Sequence, residues 1–165
     1  MRFLLFILLA VASQSLSGVG LNFKFEDKKP AKEEARPKVN ISDPYLIENA
    51  KRPEVKVMPS GLQIEMFDEG YGRMANRTDT VVINYNGYLT DGTLFDSSYK
   101  RNMPATFPVS GVVPGFAEAL MNIRLGGKAK VYIPSYLGYG SKGSGQAVPP
   151  NATIIFEIEV LDVEE

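Results

Sequence analysis

From Thr153 to Val163 the chain reads Thr-Ile-Ile-Phe-Glu-Ile-Glu-Val-Leu-Asp-Val. Ile154, Phe156, Ile158 and Val160 fall on one face and Glu157 and Glu159 on the other, the period of two that marks a half-buried strand. A long strand with one dry face needs neighbours in a sheet and something to cover that face. The neighbours are legible. Leu62–Met66 alternates after Gly61; Thr80–Leu89 sets Val81, Ile83 and Tyr85 against Val82 and Asn84; Leu94-Phe95-Asp96 follows an Asp91-Gly92 turn; Lys128–Ile133 is a further strand. Thr106–Val109 is a short extended piece that Pro108 assigns to an edge or bulge. The cover is a helix after Val113-Pro114-Gly115, with Phe116, Ala119, Leu120 and Ile123 at i, i+3, i+4 and i+7 and Gly126-Gly127 as its stop. About five strands and one substantial helix make an α+β fold: a bent antiparallel sheet, or half-barrel, wrapped around one short amphipathic α-helix. The Gly/Pro-rich loop 134–151 is longer than a connection requires, a property of functional or disordered loops.

Upstream, Arg2, the apolar run from Phe3 to Ala12 and the small residues that follow predict a signal peptide over 1–17. The run is shorter than the roughly 20 residues needed to cross a bilayer, so no membrane association is expected after cleavage. That implies a secretory route, with periplasm and ER lumen both open. Residues 18–57 read as a flexible charged linker, with a short helix near 44–51 begun by a capping residue and Pro44 and stopped by Pro53. The globular domain is expected over 58–165.

There is no His and no Cys, which removes a Ser-His-Asp triad, a Cys nucleophile and the usual zinc and iron ligand sets. The net charge of −1 gives no sign of a nucleic-acid partner. Gly138–Gly143 matches G-x-G-x-x-G, but Pro134 intervenes and no helix follows, so neither a dinucleotide nor any other cofactor is expected. Chemistry concentrates in Tyr85–Asp96, which ends with a large apolar side chain beside a carboxylate. An apolar cavity with one or two polar groups is the usual form of a small-ligand site. Taken singly, these residues have ordinary roles: Asp96 caps Ser97-Ser98, Tyr85 and Tyr139 are half-buried core aromatics, and Arg101 is a surface residue. Asn40-Ile-Ser, Asn76-Arg-Thr and Asn151-Ala-Thr are glycosylation triplets that matter only in a eukaryotic host.

Taken together and in order, several motifs change that reading. They are Val81–Gly87, Asp91-Gly-Thr-Leu-Phe-Asp-Ser-Ser98, Val112-Val-Pro-Gly-Phe116, Leu137-Gly-Tyr-Gly140 and Val148-Pro-Pro-Asn-Ala-Thr153. The sequence from about Ser60 to Glu165 resembles the FK506-binding-protein family of peptidyl-prolyl cis-trans isomerases. Met58–Gln63 and Pro104–Val109 are similar to its macrophage-infectivity-potentiator branch. The resemblance implies a proline pocket lined by Tyr85, Phe95, Phe107, Val112, Val113, Phe116, Tyr139 and Phe156, with Asp96 at its rim. It implies catalytic roles for Asp96, Tyr85, Tyr139 and Phe95. It assigns substrate contacts to Phe107, Val112, Val113, Phe116, Phe156, Arg101 and Val148. The Val113 N–H and the Tyr139 hydroxyl would bond peptide carbonyls, and Arg101 would position Asp96 and Tyr85. The implied partners are proline-containing polypeptides and macrolides of the FK506 or rapamycin type, bound by a monomer. Phe116 stands where the family usually has Trp, and Ala105 and Ala147 are small, which implies a roomier pocket and weaker macrolide binding. The alternative function is a non-catalytic peptide-binding chaperone module using the same cleft.

Overall fold

A computed structural model describes residues 42–165. The expected signal peptide, most of the charged linker and the Asn40 triplet lie outside the described residues. Seven strands form one antiparallel sheet: β1 (Val55–Val57), β2 (Gln63–Asp68), β3 (Thr80–Leu89), β4 (Leu94–Ser97), β5 (Ala105–Pro108), β6 (Lys128–Ile133) and β7 (Ile154–Glu164). Their order is β1-β2-β6-β7-β3-β4. β5 and β4 share the outer edge of β3: β5 pairs Thr80–Ile83 and β4 pairs Asn86–Tyr88. The sheet therefore begins at Val55, upstream of the expected boundary at Met58, and the short piece with Pro108 is an edge strand, as expected, paired with β3 alone. Pro108 sits at its end, where a missing N–H costs little.

The period-two pattern sorts the sheet's faces. Val81, Ile83 and Tyr85 are buried while Val82, Asn84 and Asn86 are half-buried on the outer face. On β7, Ile154, Phe156, Ile158 and Val160 are buried and Glu157 and Glu159 are not. Helix α2 (Pro114–Leu120) covers the inner face, with Pro114 in its first turn and Phe116, Ala119 and Leu120 buried. It stops at Leu120, short of the Gly126-Gly127 stop expected from the sequence. The Asn122 side chain donates to the Glu118 carbonyl at 2.8 Å, and the Asn122 N–H turns to Ala119. A side-chain donor that takes the i−4 carbonyl competes with the next helical bond. Ile123 nevertheless stays in the core.

The outer face is partly covered by helix α1 (Pro44–Asn49). Asp43 caps it, accepting from the Tyr45 N–H at 2.9 Å, and Pro44 occupies the first turn. Six residues cannot hold a helix in isolation, so its order comes from docking. Leu46 is buried with Tyr132 and Ile155. A closed polar network surrounds that contact. Asn49 donates to Gln63, Gln63 to the Leu46 carbonyl, and Arg52 to Asn49, Tyr132, Glu54 and Glu65, while the Tyr132 hydroxyl donates to Glu65 at 2.8 Å. Among the described residues, no buried side-chain polar atom lacks a partner.

Candidate active site

The chemistry-bearing stretch is shaped by one irregularity in the β3–β4 ladder. Asn86 pairs with Ser97 and Gly87 with Asp96, but Tyr88 pairs with Leu94, so Phe95 is an extra, unpaired residue. A bulge of this kind re-aims side chains. Phe95 and Asp96, neighbours that a regular strand would send to opposite faces, both turn toward the inner face.

There Tyr85, Asp96, Phe107, Gly111, Val112, Val113, Phe116, Tyr139 and Phe156 enclose a hollow of about 330 Å³. Its wall is an aromatic cluster. The Tyr85 ring lies 5.9 Å from Phe107, 6.3 Å from Phe116 and 5.9 Å from Phe156, and Phe116 and Phe156 approach to 4.7 Å. These are the tilted and edge-on spacings that aromatic quadrupoles favour. Phe116, from the first turn of α2, is 5% exposed, so the helix N-terminus supplies an apolar floor without an indole N–H.

At the rim Asp96 is held from three sides. It accepts from the Tyr85 hydroxyl at 2.5 Å, from Arg101 Nη1 at 2.5 Å and from the Ser97 N–H at 2.8 Å. Burial pulls the Asp96 carboxyl upward, but the Tyr85 and Arg101 hydrogen bonds and the guanidinium charge outweigh it and hold the group below the usual carboxylate range. Tyr85 is pushed up by burial and by Asp96, against an opposing pull from Arg101. Arg101 also donates to the Tyr85 hydroxyl at 2.8 Å and stands 5.6 Å from its ring centre. Arg101 is aimed back by the 3-10 turn Tyr99–Arg101, which closes on Asn102 in the left-handed region, where Asn is tolerated.

Most of the expected lining is brought together; three expectations need correction. Phe95 is not among the residues that line the hollow; its ring meets Phe156, which does, edge-on at 5.6 Å. Val148 is 1% exposed in the core and exchanges backbone bonds with Ser144, so it anchors the loop rather than touching a ligand. That anchoring needs Gly143, at φ 64°, because a Cβ there would stand 2.3 Å from the Val148 carbonyl oxygen. Nor do Ala105 and Ala147 enlarge the hollow. Ala105 pairs with Ile83 and packs on the core, and Ala147 lies exposed in the loop. Two contributors escaped the sequence reading. Gly111 lines the hollow, and buried Ser98 accepts the Tyr85 N–H at 2.9 Å. Ser98 stood in the Asp91–Ser98 motif, but with no role assigned beyond a turn.

Among the described residues the Tyr139 hydroxyl and the Val113 N–H engage no hydrogen-bond partner, and both belong to the lining. Other surface hollows differ in kind. One of about 350 Å³ on the outer face lies over the Lys128–Glu159 ion pair, and one of about 440 Å³ lies between the start of α1 and the segment Pro134–Tyr136.

A half-barrel closed on a short helix, with an aromatic hollow at the helix N-terminus and one clamped rim carboxylate, defines a binding domain for small apolar groups. Residues 71–161 match the family described as FKBP-type peptidyl-prolyl cis-trans isomerase, and the chain belongs to that family. It is 47% identical over 119 residues to the FKBP-type 22 kDa peptidyl-prolyl cis-trans isomerase of Escherichia coli K12, covering 72% of this chain and 58% of that protein. It is 42% identical over 123 residues to the outer membrane protein MIP of Legionella longbeachae, covering 74% and 53%. The crystal structure of FkpA from Escherichia coli superposes with a TM-score of 0.70 at 44% identity, covering 73% of this chain and 56% of that one. A peptidyl-prolyl cis-trans isomerase from Pseudomonas syringae gives 0.69 at 30%, covering 73% and 89%. The chain thus spans little more than half the length of the two curated relatives.

Proposed function

We propose that this protein accelerates rotation about Xaa-Pro bonds in secreted or unfolded polypeptides. The observation that carries the reading is the hollow itself: Tyr85, Phe107, Phe116 and Phe156 form one dry wall beneath a single fixed carboxylate. Family membership supports it. The uncatalysed rotation faces a barrier of about 20 kcal/mol because twisting breaks amide resonance, and takes on the order of tens to hundreds of seconds. No nucleophile is needed. The twisted imide has a less polar C–N bond than the planar one, so an apolar enclosure favours it over the ground state. That is differential binding of the transition state. The Val113 N–H and Tyr139 hydroxyl hold the flanking peptide carbonyls. Asp96 acts on the rotating carbonyl electrostatically, as a fixed, ionised group whose position Arg101 and Tyr85 maintain.

The same cleft takes macrolides of the FK506 type, more weakly than a Trp-floored one, because Phe116 offers no indole N–H. The protein acts as a monomer, with α1 and β1 joined to the 58–165 domain and a signal peptide and charged linker before them, on the secretory route to a periplasm or ER lumen. Among the described residues no helix is long and apolar enough to cross a membrane. The test is exchange spectroscopy on a proline tetrapeptide with wild type and Asp96→Ala. The expected result is acceleration by wild type and a loss of turnover in a folded Asp96→Ala protein. Full activity in that variant rejects the role of Asp96.

A further inference from the structure

The geometry points to Gly87 as the positioning residue that sets the depth of the hollow. The inference rests on the isomerase reading only for its activity readout. Gly87 lies on β3 two residues beyond Tyr85, on the same inner face, and is buried. It pairs with Phe156 on one side and with Asp96 on the other. A Cβ at Gly87 would stand 2.8 Å from Phe156 Cε1 and 2.9 Å from Phe95 Cζ, far inside ordinary contact distance. Both rings therefore cross the strand where any other side chain would begin.

The consequence follows from what each ring does. Phe156 is wall, with its ring 4.7 Å from Phe116 and 5.9 Å from Tyr85; Phe95, displaced inward by the bulge, meets Phe156 edge-on at 5.6 Å. With hydrogen at position 87 the pair sinks onto the backbone and leaves the hollow open. With a methyl, both ring edges must give way, and any shift of Phe156 toward Phe116 and Tyr85 narrows the space for the prolyl ring. Gly87 touches no substrate; it acts through Phe156. Backbone conformation is not the reason for glycine here, since Gly87 has no positive φ.

The test uses the full chain and three variants: Gly87→Ala, Phe95→Leu and the double variant. Aromatic ¹H–¹³C spectra report the Phe156 ring independently of activity, and exchange spectroscopy on the proline tetrapeptide reports kcat and KM. In Gly87→Ala the Phe156 resonances shift and kcat/KM falls about tenfold, mainly through KM, because planar and twisted prolyl groups lose the same space. Mere partial unfolding would lower apparent kcat at constant KM. The double variant, in which Leu gives Phe156 room to retreat, recovers a substantial part of that loss and is more active than Gly87→Ala. If Gly87→Ala does not fold, recovery of fold and wild-type-like Phe156 resonances in the double variant carries the inference. Unmoved Phe156 resonances with wild-type KM in Gly87→Ala, or a double variant no better than the single, overturns it. An inert wild type whose Phe156 still shifts in Gly87→Ala refutes the isomerase reading and leaves the role of Gly87 standing.

Discussion

At the scale of single residues, the site is a carboxylate whose charge is maintained by its neighbours. Asp96 titrates below its ordinary value of 3.8, so its favourable pairing with Arg101 and Tyr85 is fully present above that value and is lost as pH falls through the depressed one. Activity is therefore expected to hold constant from neutrality down to the ordinary carboxylate range. It then declines, and Arg101→Leu moves the decline upward in pH; a pH–rate profile of both proteins checks this. Arg101→Leu should leave the hollow's volume unchanged, because Arg101 is not in its wall. Phe116 belongs to a different class of test. At 5% exposure it is both floor and core, and Phe116→Ala should cost about 3–5 kcal/mol of stability, read from denaturant midpoints. Phe116→Trp should tighten macrolide binding, measured by calorimetry, by restoring an indole N–H to the floor. The aromatic wall was legible in the sequence because Tyr85 and Phe156 sit on strands with a clean period of two. Phe95 and Val148 were misplaced for a shared reason. Their orientation is set by a bulge and by a loop anchor, and both are properties of pairing register that neighbouring residues do not display.

At the scale of elements, the informative piece is α1. Its capping residue and Pro44 were visible, and its shortness meant that it should dock or fray, but its partners were not visible, since most residues that hold it are polar and far apart in sequence. Arg52 reaches Tyr132 across 80 positions, and Asn49 reaches Gln63. Polar contacts at such separations have no periodicity to detect. Burial, together with the hydrogen bond to Glu65, pushes the Tyr132 hydroxyl up to about 12, against the pull of Arg52. A tyrosine raised in the folded state contributes stability that is whole below its free value of 10 and is lost as pH rises toward 12. Urea midpoints should therefore fall between those two values, and Tyr132→Phe should abolish that fall. The same variant leaves Glu65, 8% exposed, short of a donor, and should cost about 1–3 kcal/mol at neutral pH. Leu46→Ala, in the apolar centre of the contact, should cost about 2–5 kcal/mol.

At the scale of the whole molecule, two faces of one sheet serve different ends. The inner face, α2 and the loop 134–151 build the hollow, while α1 with β1 closes part of the outer face and one edge. A chain starting at Met58 would keep every residue of the hollow but lose α1 and β1. It should be less stable than a chain starting at Ser42 by on the order of 3 kcal/mol or more, judged by the buried Leu46 and the severed Arg52–Glu65 pair. The half-barrel and its inner helix were readable from alternation and helical spacing. The number of strands was not, because β1 is only three residues long and owes its place to the partner strand beside it. What joins the scales is the proposal that an aromatic hollow selects the twisted form of a prolyl imide without covalent chemistry. The most direct measurement is the cis-to-trans exchange rate of a Xaa-Pro tetrapeptide at micromolar protein, with and without an FK506-type macrolide. The expected result is acceleration that the macrolide abolishes. An exchange rate equal to the buffer control, in a protein that still binds the peptide, would contradict it and leave a binding module in its place.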